Sequence, residues 1–250
     1  MMTTYGLIGF PLGHSFSAAY FTRKFQEEKI AAEYNNYPMQ SVDDVRTFVS
    51  DTPQLQGFNV TIPHKESVLP HLDELSIAAQ QIGAVNVVKV ERKNNGIRLL
   101  GYNTDFIGFR DSLRPLLTER VHKALVLGTG GASKAVTYAL RSMDIEPQLV
   151  SRTRRKDILS YEDLDREIIK NHPLIVNCTP LGTFPDIEGA PPIPYERLTA
   201  EHILYDLVYN PSETRFMILG KQQGAVVKNG LEMLHLQAQA AWKIWNADAI

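Results

Sequence analysis

The strongest constraint on the fold is the stretch KALVLGTGGASKA, where an apolar run meets a cluster of glycines. The run lacks polar alternation, as expected of a strand buried on both faces of a parallel sheet. Gly128, Gly130 and Gly131 follow, and residues 132–143 have the composition of a helix. Strand, glycine turn and helix in this order are typical of a dinucleotide-binding domain, in which a pyrophosphate lies at the helix amino terminus. We favour that interpretation over an ordinary glycine turn.

The next predicted strand ends in the basic stretch SRTRRK, residues 151–156. An enzyme that uses NAD usually carries an acid at this place, bonded to the ribose 2′-hydroxyl, whereas an arginine binds the 2′-phosphate of NADP. Arg152 therefore predicts NADP as the cofactor. Arg154, Arg155 and Lys156 are alternative sources of a second cation, and the sequence does not rank them.

Strand-like and helix-like segments alternate along the whole chain, which indicates an α/β protein with a largely parallel sheet. We predict an N-terminal α/β substrate domain of residues 1–104 and a Rossmann-type dinucleotide-binding domain of residues 105–225. Residues 226–250 are assigned to the first domain, because the C-terminal helix is expected to return to it. Other predicted segments are strands at 5–10, 32–39 and 57–61, helices at 16–30, 42–50, 65–71 and near Ile77, and a hairpin at 84–103 with a turn at Asn94, Asn95 and Gly96.

Composition narrows the possible functions. The 250 residues are 44% apolar and carry a net charge of −2, so no global positive field would attract nucleic acid. A single cysteine, Cys178, excludes an internal disulfide and a multi-cysteine zinc site, and it favours a reducing, cytoplasmic compartment. The N-terminus does not resemble a signal peptide, and apolar runs are too short for a membrane helix. We expect a small-molecule substrate, no metal, no nucleic-acid partner and no membrane association.

The stretch GFNVTIPHKE, residues 57–66, carries the main catalytic candidate. Apolar and polar residues alternate along it, which predicts a strand with Asn59 and Thr61 on its polar face. Pro63 ends the strand, and Lys65 follows at its carboxyl end, where open α/β sheets place their sites. Hydride transfer to a carbonyl leaves an alkoxide that needs a proton, and Lys65 is the residue best placed to supply it.

Several longer strings occur in a fixed order along the chain: PLGHSFS, GFNVTIPHKE, GAVNVV, GYNTDFIG, GTGGAS, YDLVYNP and NGLEMLHLQA. Together they resemble the shikimate dehydrogenase family over about residues 8–240. The resemblance implies NADPH-dependent, reversible reduction of 3-dehydroshikimate to shikimate, a step of aromatic amino acid biosynthesis. Such an enzyme is an oxidoreductase acting on a CH–OH group.

The resemblance also implies roles for individual residues. Lys65 and Asp105 would be the catalytic pair, in which Lys65 binds and protonates the carbonyl oxygen while Asp105 orients it. Tyr209 would lie near the junction of substrate and nicotinamide. The substrate's hydroxyls and carboxylate would be held by Ser15, Ser17, Asn59, Thr61, Asn86 and Gln237. The cofactor would be held by Gly128, Gly130, Gly131, Ala132, Ser151, Arg152, Thr153, Lys156, Thr179 and Gly230. Ser15 has a second interpretation as a helix cap, and it could serve both purposes.

Other functions remain open at this stage. A quinate/shikimate dehydrogenase using NAD should carry an acid after the second strand of the nucleotide domain, and SRTRRK has none. A folate-linked methylene dehydrogenase shares the two-domain organisation and a lysine, but not the full set of strings. A non-catalytic nucleotide-binding regulator would have no need of Lys65 and Asp105. The sequence leaves the choice between monomer and homodimer undecided.

Overall fold

The structure, a computed structural model, describes residues 2–13, 15–93 and 96–247. The chain divides into two compact units, one comprising Met1–Thr104 with Ala238–Ile250 and the other comprising Asp105–Gln237. Within the described residues, no helix combines the length and the apolar character needed to cross a bilayer.

The elements of the first unit alternate as the sequence predicts. They are β1 (Thr3–Gly9), α1 (Phe16–Glu27), β2 (Ala32–Pro38), α2 (Val45–Asp51), β3 (Leu55–Val60), β4 (Glu74–Leu75), α3 (Ile77–Ile82), β5 (Val87–Lys93) and β6 (Gly96–Tyr102). They form a six-stranded sheet of order β2-β1-β3-β5-β6-β4. β1 is parallel to β2 and β3, whereas β5 is antiparallel to β3 and β6, so this sheet is mixed. The predicted hairpin is confirmed, although Asn94 and Asn95 of its turn lie outside the described residues.

Alternation along β1 builds a core on each face of this sheet. Tyr5 and Leu7 face one side and pack with Phe21 of α1, in a cluster that also contains Trp245 from the C-terminal end of the chain. Ile8 faces the other side and packs with residues of α2 and α3. The sheet is thus buried on both faces, which positions the carboxyl ends of its central strands.

The helix predicted at residues 65–71 is wrong. The segment after β3 forms successive turns, and a single 3₁₀ turn spans Leu69–His71. Pro63 and Pro70 bracket the segment, and a proline cannot donate a helical hydrogen bond. Lys65 therefore lies on a turn directly beyond the strand.

The second unit is an alternating α/β arrangement. Its elements are α4 (Asp105–Leu113), β7 (Lys123–Leu127), α5 (Gly131–Arg141), β8 (Glu146–Ser151), β9 (Ile158–Ser160), α6 (Arg166–Asn171), β10 (Leu174–Asn177), β11 (Ile203–Asp206), α7 (Arg215–Gln222) and β12 (Val226–Lys228). The sheet has the order β12-β11-β10-β7-β8-β9, and every pairing within it is parallel. One face packs with α4 and α5 and the other with α6 and α7, so β7 and β10 are buried on both faces.

The final helix, α8 (Leu231–Asn246), contributes to both units. The sequence assigned residues 226–250 to the first domain. In the structure β12 pairs with β11 in the second sheet, and the division falls inside α8 between Gln237 and Ala238. Met233 belongs to the core of the second unit, whereas Ala241 and Trp245 belong to that of the first.

Candidate active site

A buried polar network lies at the carboxyl end of β3. Asn59 is only 5% exposed, yet both ends of its amide are engaged. Its Oδ1 accepts a hydrogen bond from the Tyr34 hydroxyl at 2.7 Å, and its Nδ2 donates to the backbone oxygen of Asn86 at 3.2 Å. Burial raises the pKa of the Tyr34 phenol well above its ordinary value, and Ser17 lowers it. Tyr34 thereby fixes the amide of Asn59, a predicted substrate residue.

Asn86 extends this network towards the end of the first unit. Its Oδ1 accepts from the backbone N–H of Thr104 at 2.6 Å, and its Nδ2 donates to the Thr104 hydroxyl at 3.0 Å. Asn103 donates to the backbone oxygen of Ala84 at 3.0 Å. Asn103 and Thr104, which directly precede Asp105, are therefore held in place by buried amide groups.

Ser15 is the N-cap of α1, and its hydroxyl accepts a hydrogen bond from the N–H of Ala18 at 3.2 Å. The capping role that the sequence proposed for Ser15 or Ser17 thus falls to Ser15. A serine hydroxyl has further donor and acceptor capacity, so capping does not exclude a contact with substrate.

Lys65 and Thr61 lie on the turn that follows β3. Both are half-buried, and the backbone oxygen of Lys65 accepts from Val85 N at 2.8 Å. His64 between them is buried, with Nε2 2.5 Å from the backbone oxygen of Met39, which indicates a structural role. Lys65 belongs to the first unit, and Asp105, the first residue of α4, to the second. Their approach to one another remains a prediction.

The glycine turn of the second unit has the predicted form. Gly128 ends β7 with φ +105°, a conformation that glycine adopts at least cost, and a Cβ there would lie 3.2 Å from the Thr179 methyl group. Gly130 is the N-cap of α5, and a Cβ built on it meets nothing within 4 Å. The helix begins at Gly131, followed by Ala132. Open space in front of a helix amino terminus suits a pyrophosphate.

The basic turn after β8 is exposed. The Ser151 hydroxyl donates to the backbone oxygen of Thr153 at 2.6 Å, which shapes the turn. Arg154 forms a 3.1 Å ion pair with Asp163, whereas Arg152 and Lys156 are exposed to solvent. Because Arg154 already has a carboxylate partner, we rank it behind its neighbours as a phosphate ligand. The preference is small, since an exposed ion pair is worth only about 0–1 kcal/mol.

The loops after β10 and β11 contain several more predicted residues. Thr179 follows β10, and its N–H and hydroxyl both donate to Asn177 Oδ1, at 2.9 and 2.6 Å. Tyr209 follows β11 and is 39% exposed. Gly230 donates from its N–H to the oxygen of Val208 at 3.1 Å, and a Cβ on Gly230 would overlap the backbone of Leu207. Close packing alone thus explains Gly230.

Gln237, a predicted substrate contact, is only 6% exposed. Its Nε2 donates to the backbone oxygen of Leu234 at 2.9 Å. Gln237 lies in the second unit, at the division within α8.

A cavity of about 760 Å³ lies at the amino ends of the strands of the second sheet, opposite the glycine turn. His122, Pro173 and His202, which precede β7, β10 and β11, line it. Cofactors of open α/β sheets bind at the carboxyl ends of the strands, so this cavity is not a candidate for the nicotinamide site. Lys170, which also lines it, lies in the last turn of α6, where a cation offsets the helix dipole.

Comparison with known proteins identifies the family. The family description "Shikimate dehydrogenase substrate binding domain" matches residues 7–88. A shikimate dehydrogenase (NADP(+)) from Halothermothrix orenii is 37% identical, over 96% of this chain and 89% of that protein. The chain belongs to the shikimate dehydrogenase family. The two-unit α/β architecture is that of the family, with a substrate domain and a Rossmann-like domain.

Solved structures of family members agree with this assignment. Shikimate 5-dehydrogenase from Thermus thermophilus, in complex with NADP(H) and shikimate, is 32% identical with a TM-score of 0.84, covering 98% of this chain and 94% of that one. The Listeria monocytogenes enzyme, in complex with shikimate and NAD, is 26% identical with a TM-score of 0.86, covering 100% and 93%. Family members have thus been crystallised with either nicotinamide cofactor.

Four residues that hydrogen-bond the Asn59 amide or the loops after β10 and β11 were not predicted from the sequence: Tyr34, Asn177, Asp206 and Thr214. Asn177 and Asp206 are polar residues that end apolar strands, and this is a usable signal, because both are completely buried. Tyr34 and Thr214 carry no such signal. Tyr34 is bonded to Asn59, which is distant in the chain, and Thr214 is bonded to Asp206 across the loop between them.

Proposed function

We propose that this chain catalyses the reversible, NADPH-dependent reduction of 3-dehydroshikimate to shikimate, in the synthesis of aromatic amino acids. The assignment rests on similarity to curated NADP(+)-dependent relatives over 96% of the chain. The observation that carries it is the buried amide network of Asn59 and Asn86 at the end of β3, beside the turn that bears Lys65. A polyhydroxylated acid needs many fixed, neutral donors and acceptors, because a site recognises a hydroxyl by leaving no buried polar group unpaired.

Lys65 and Asp105 are proposed as the catalytic pair. Bound NADPH would supply the hydride for the carbonyl carbon of 3-dehydroshikimate. Lys65 would then protonate the carbonyl oxygen: one of its N–H bonds breaks as the new O–H bond forms, and the amine keeps the electron pair. Lys65 also stabilises the developing negative charge, and Asp105 orients the amine or relays a proton onward. In the oxidative direction Lys65 accepts the proton of the substrate hydroxyl as a general base.

The remaining substrate contacts are proposed residue by residue. Ser15, Ser17, Thr61, Asn59 and Asn86 belong to the first unit. They offer hydroxyl and amide groups, which can both donate and accept. Tyr209 and Gln237 are the other two proposed substrate contacts.

The cofactor contacts are also proposed residue by residue. The glycine turn at Gly128–Gly131 would take the pyrophosphate, and Arg152 the 2′-phosphate. Arg155 or Lys156 would assist, because Arg154 already pairs with Asp163. Ala132, Ser151, Thr153, Thr179 and Gly230 would contact the cofactor through short side chains or backbone.

We further propose that the enzyme acts in the cytoplasm as a monomer or homodimer. Support for the location is the single cysteine, Cys178, whose thiol has its pKa raised by burial and by the nearby Asp206 carboxylate. A thiol kept protonated is unreactive, which is compatible with a reducing compartment.

The proposed activity predicts NADP reduction when shikimate is added to the purified protein. Lys65→Ala should lower kcat by roughly 10²–10⁴ and leave the KM for shikimate nearly unchanged, because the lost interaction is made in the transition state. Steady-state rates at several shikimate concentrations measure both quantities.

Lys170→Ala, at an exposed lysine of α6, is the matched control and should behave as the wild type. If Lys65 and Asp105 act as a unit, adding Asp105→Asn to Lys65→Ala should lower kcat little further. A raised KM with unchanged kcat in Lys65→Ala would reduce that residue to a substrate contact.

A quinate/shikimate dehydrogenase that uses NAD is the second candidate, because the Listeria monocytogenes structure contains NAD. Rates with NADP and NAD, and with shikimate and quinate, compared side by side decide between the two. The exposed basic turn after β8 favours NADP.

A further inference from the structure

Asp206, the last residue of β11, is a completely buried carboxyl group without a role in the proposed chemistry. Its Oδ1 accepts hydrogen bonds from Asn177 Nδ2 at 2.9 Å and from Val208 N at 3.0 Å. Its Oδ2 accepts from the Thr214 hydroxyl at 2.6 Å. A buried carboxylate costs free energy unless it is well bonded, so its position at the end of the strand needs a reason.

On one side, this carboxylate controls the loop after β10. Asn177 donates to Asp206, which fixes the orientation of its amide and directs Asn177 Oδ1 towards the loop. That oxygen accepts from both the N–H and the hydroxyl of Thr179. Thr179 lies beside the glycine turn, where a Cβ at Gly128 would come within 3.2 Å of its methyl group. Asp206 thus acts on the glycine turn through Asn177 and Thr179.

On the other side, Asp206 ties both ends of the loop that carries Tyr209. Val208 N bonds Asp206 just before Tyr209, and Thr214 bonds it at the far end, where Thr214 is the N-cap of α7. Between them the oxygen of Asn210 accepts from Phe184 N at 3.1 Å. The loop is therefore closed on a single carboxylate.

The chemistry of these partners favours a carboxylate over an amide at position 206. Asn177, Val208 and Thr214 all present hydrogens to it, and an ionised carboxylate has only acceptors. Burial raises the pKa of Asp206 to about 6, while the three hydrogen bonds lower it. Asp206 is therefore mostly ionised at neutral pH. An asparagine would direct N–H groups at some of these donors and disrupt the arrangement on at least one side.

We propose that Asp206 is a positioning residue that aligns Thr179 and Tyr209 with the nicotinamide and the substrate. This inference rests on the proposed function, because it takes Thr179 and Tyr209 as contact residues. Asp206 does not touch the reacting groups. Its effect passes through Asn177 to one loop and through Val208 and Thr214 to the other.

Two substitutions test the proposal in the full-length protein. Asp206→Asn should lower kcat for shikimate oxidation at least tenfold and raise the KM for NADP and for shikimate severalfold. Thr214→Val, which removes the hydroxyl that donates to Asp206 and also caps α7 at Met217 N, should move the same constants in the same direction, and Thr214→Ser, which keeps that hydroxyl, should restore them. A purely structural hydroxyl would change the melting temperature without such a change in kinetics.

The matched control is His202→Asn. His202 is a buried polar residue just before β11, at the opposite end from Asp206, and its ring nitrogens bond Thr199 N and approach the oxygen of Ile169. This variant should lose stability but keep the wild-type kcat and KM, because it affects only the amino end of β11.

Three outcomes count against these ideas. Equal kinetics for Thr214→Val and Thr214→Ser would overturn the positioning role even if Asp206→Asn fails to fold. A folded Asp206→Asn with wild-type kcat and KM would overturn it as well. No NADP reduction by the wild type on adding shikimate would overturn the proposed function itself, and with it this inference.

Discussion

Asn86 lies beside β5 and is only 3% exposed, and its side chain bonds both the N–H and the hydroxyl of Thr104. Asparagine is unfavoured in and beside strands, so the sequence already marked this residue as unusual. Tyr34 gave no such warning. It shares β2 with Tyr37, yet only Tyr34 is buried and bonded to Asn59, and nothing in the local pattern separates the two. Polar residues that break an apolar pattern are predictable, whereas their partners depend on the tertiary structure.

We propose that the cofactor preference depends on Arg152. Arg152→Ala should raise the KM for NADP roughly 10–100-fold, because a charge-assisted bond is worth about 1.5–3 kcal/mol. The KM for NAD should change little, since NAD has no 2′-phosphate. Initial rates with each cofactor at saturating shikimate measure both constants.

Arg154→Ala is the matched control, because Arg154 already pairs with Asp163. It should leave the ratio of the two KM values near that of the wild type. An equal rise of both KM values in Arg152→Ala would mean that Arg152 does not contact the 2′-phosphate.

At the scale of elements, long periodic segments were predictable and short ones were not. The strand–turn–helix around Gly128 has the predicted order, since a buried apolar run and a glycine turn are local signals. The edge strands β9 and β12 were missed, because each has only three residues and gains its regularity from pairing with β8 or β11. The helix expected at 65–71 does not form, because Pro63 and Pro70 cannot donate helical hydrogen bonds.

Helix α8 supplies a prediction at this scale. Trp245 is 5% exposed, stacks on Tyr5 with ring centroids 4.9 Å apart, and donates from Nε1 to the oxygen of Val88 at 3.0 Å. Trp245→Ala should lower the free energy of unfolding by about 3–5 kcal/mol, from lost burial and the cavity left behind. Urea unfolding monitored by circular dichroism measures the change.

Leu231→Ala, at an exposed position in the first turn of the same helix, should cost less than about 0.5 kcal/mol. A Trp245→Ala variant as stable as Leu231→Ala would mean that the end of α8 contributes little to the first unit.

On the scale of the whole molecule, the sequence predicted two domains and the return of the last helix, but it placed the second crossing near residue 226. The switch occurs inside α8, where Met233 and Trp245 pack in different cores. The helical pattern of α8 does not predict this change of core, because both halves of the helix present an apolar face. The two halves differ only in the residues against which they pack.

The free energy of unfolding should also vary with pH, because Asp206 titrates. Its pKa is about 6 in the folded protein, above the ordinary 3.8, so the folded state binds the extra proton between these values. Lowering the pH through 6 therefore stabilises the wild type, and raising it removes that contribution. Relative to Asp206→Asn, the wild type should gain about 1 kcal/mol of unfolding free energy between pH 7.5 and pH 5.

Comparing the variant with the wild type at each pH cancels other groups, such as His172, whose pKa is lowered by burial and which acts in the opposite direction. Cys178 and Tyr195, which sense the Asp206 charge, have raised pKa values and stay neutral across this range. A difference between the two proteins that does not vary with pH would contradict a titrating Asp206.

The division inside α8 has a consequence for biosynthesis. A ribosome releases the whole of residues 105–237 before Ala241 and Trp245 emerge, so the inserted unit has its complete sequence while the outer one still lacks part of its aromatic core. The inserted unit can therefore fold before the outer unit is complete, although the N-terminal domain usually folds first. Until the end of α8 has emerged, Tyr5 and Phe21 lack their contacts with Trp245, and a chaperone would be expected to shield these side chains.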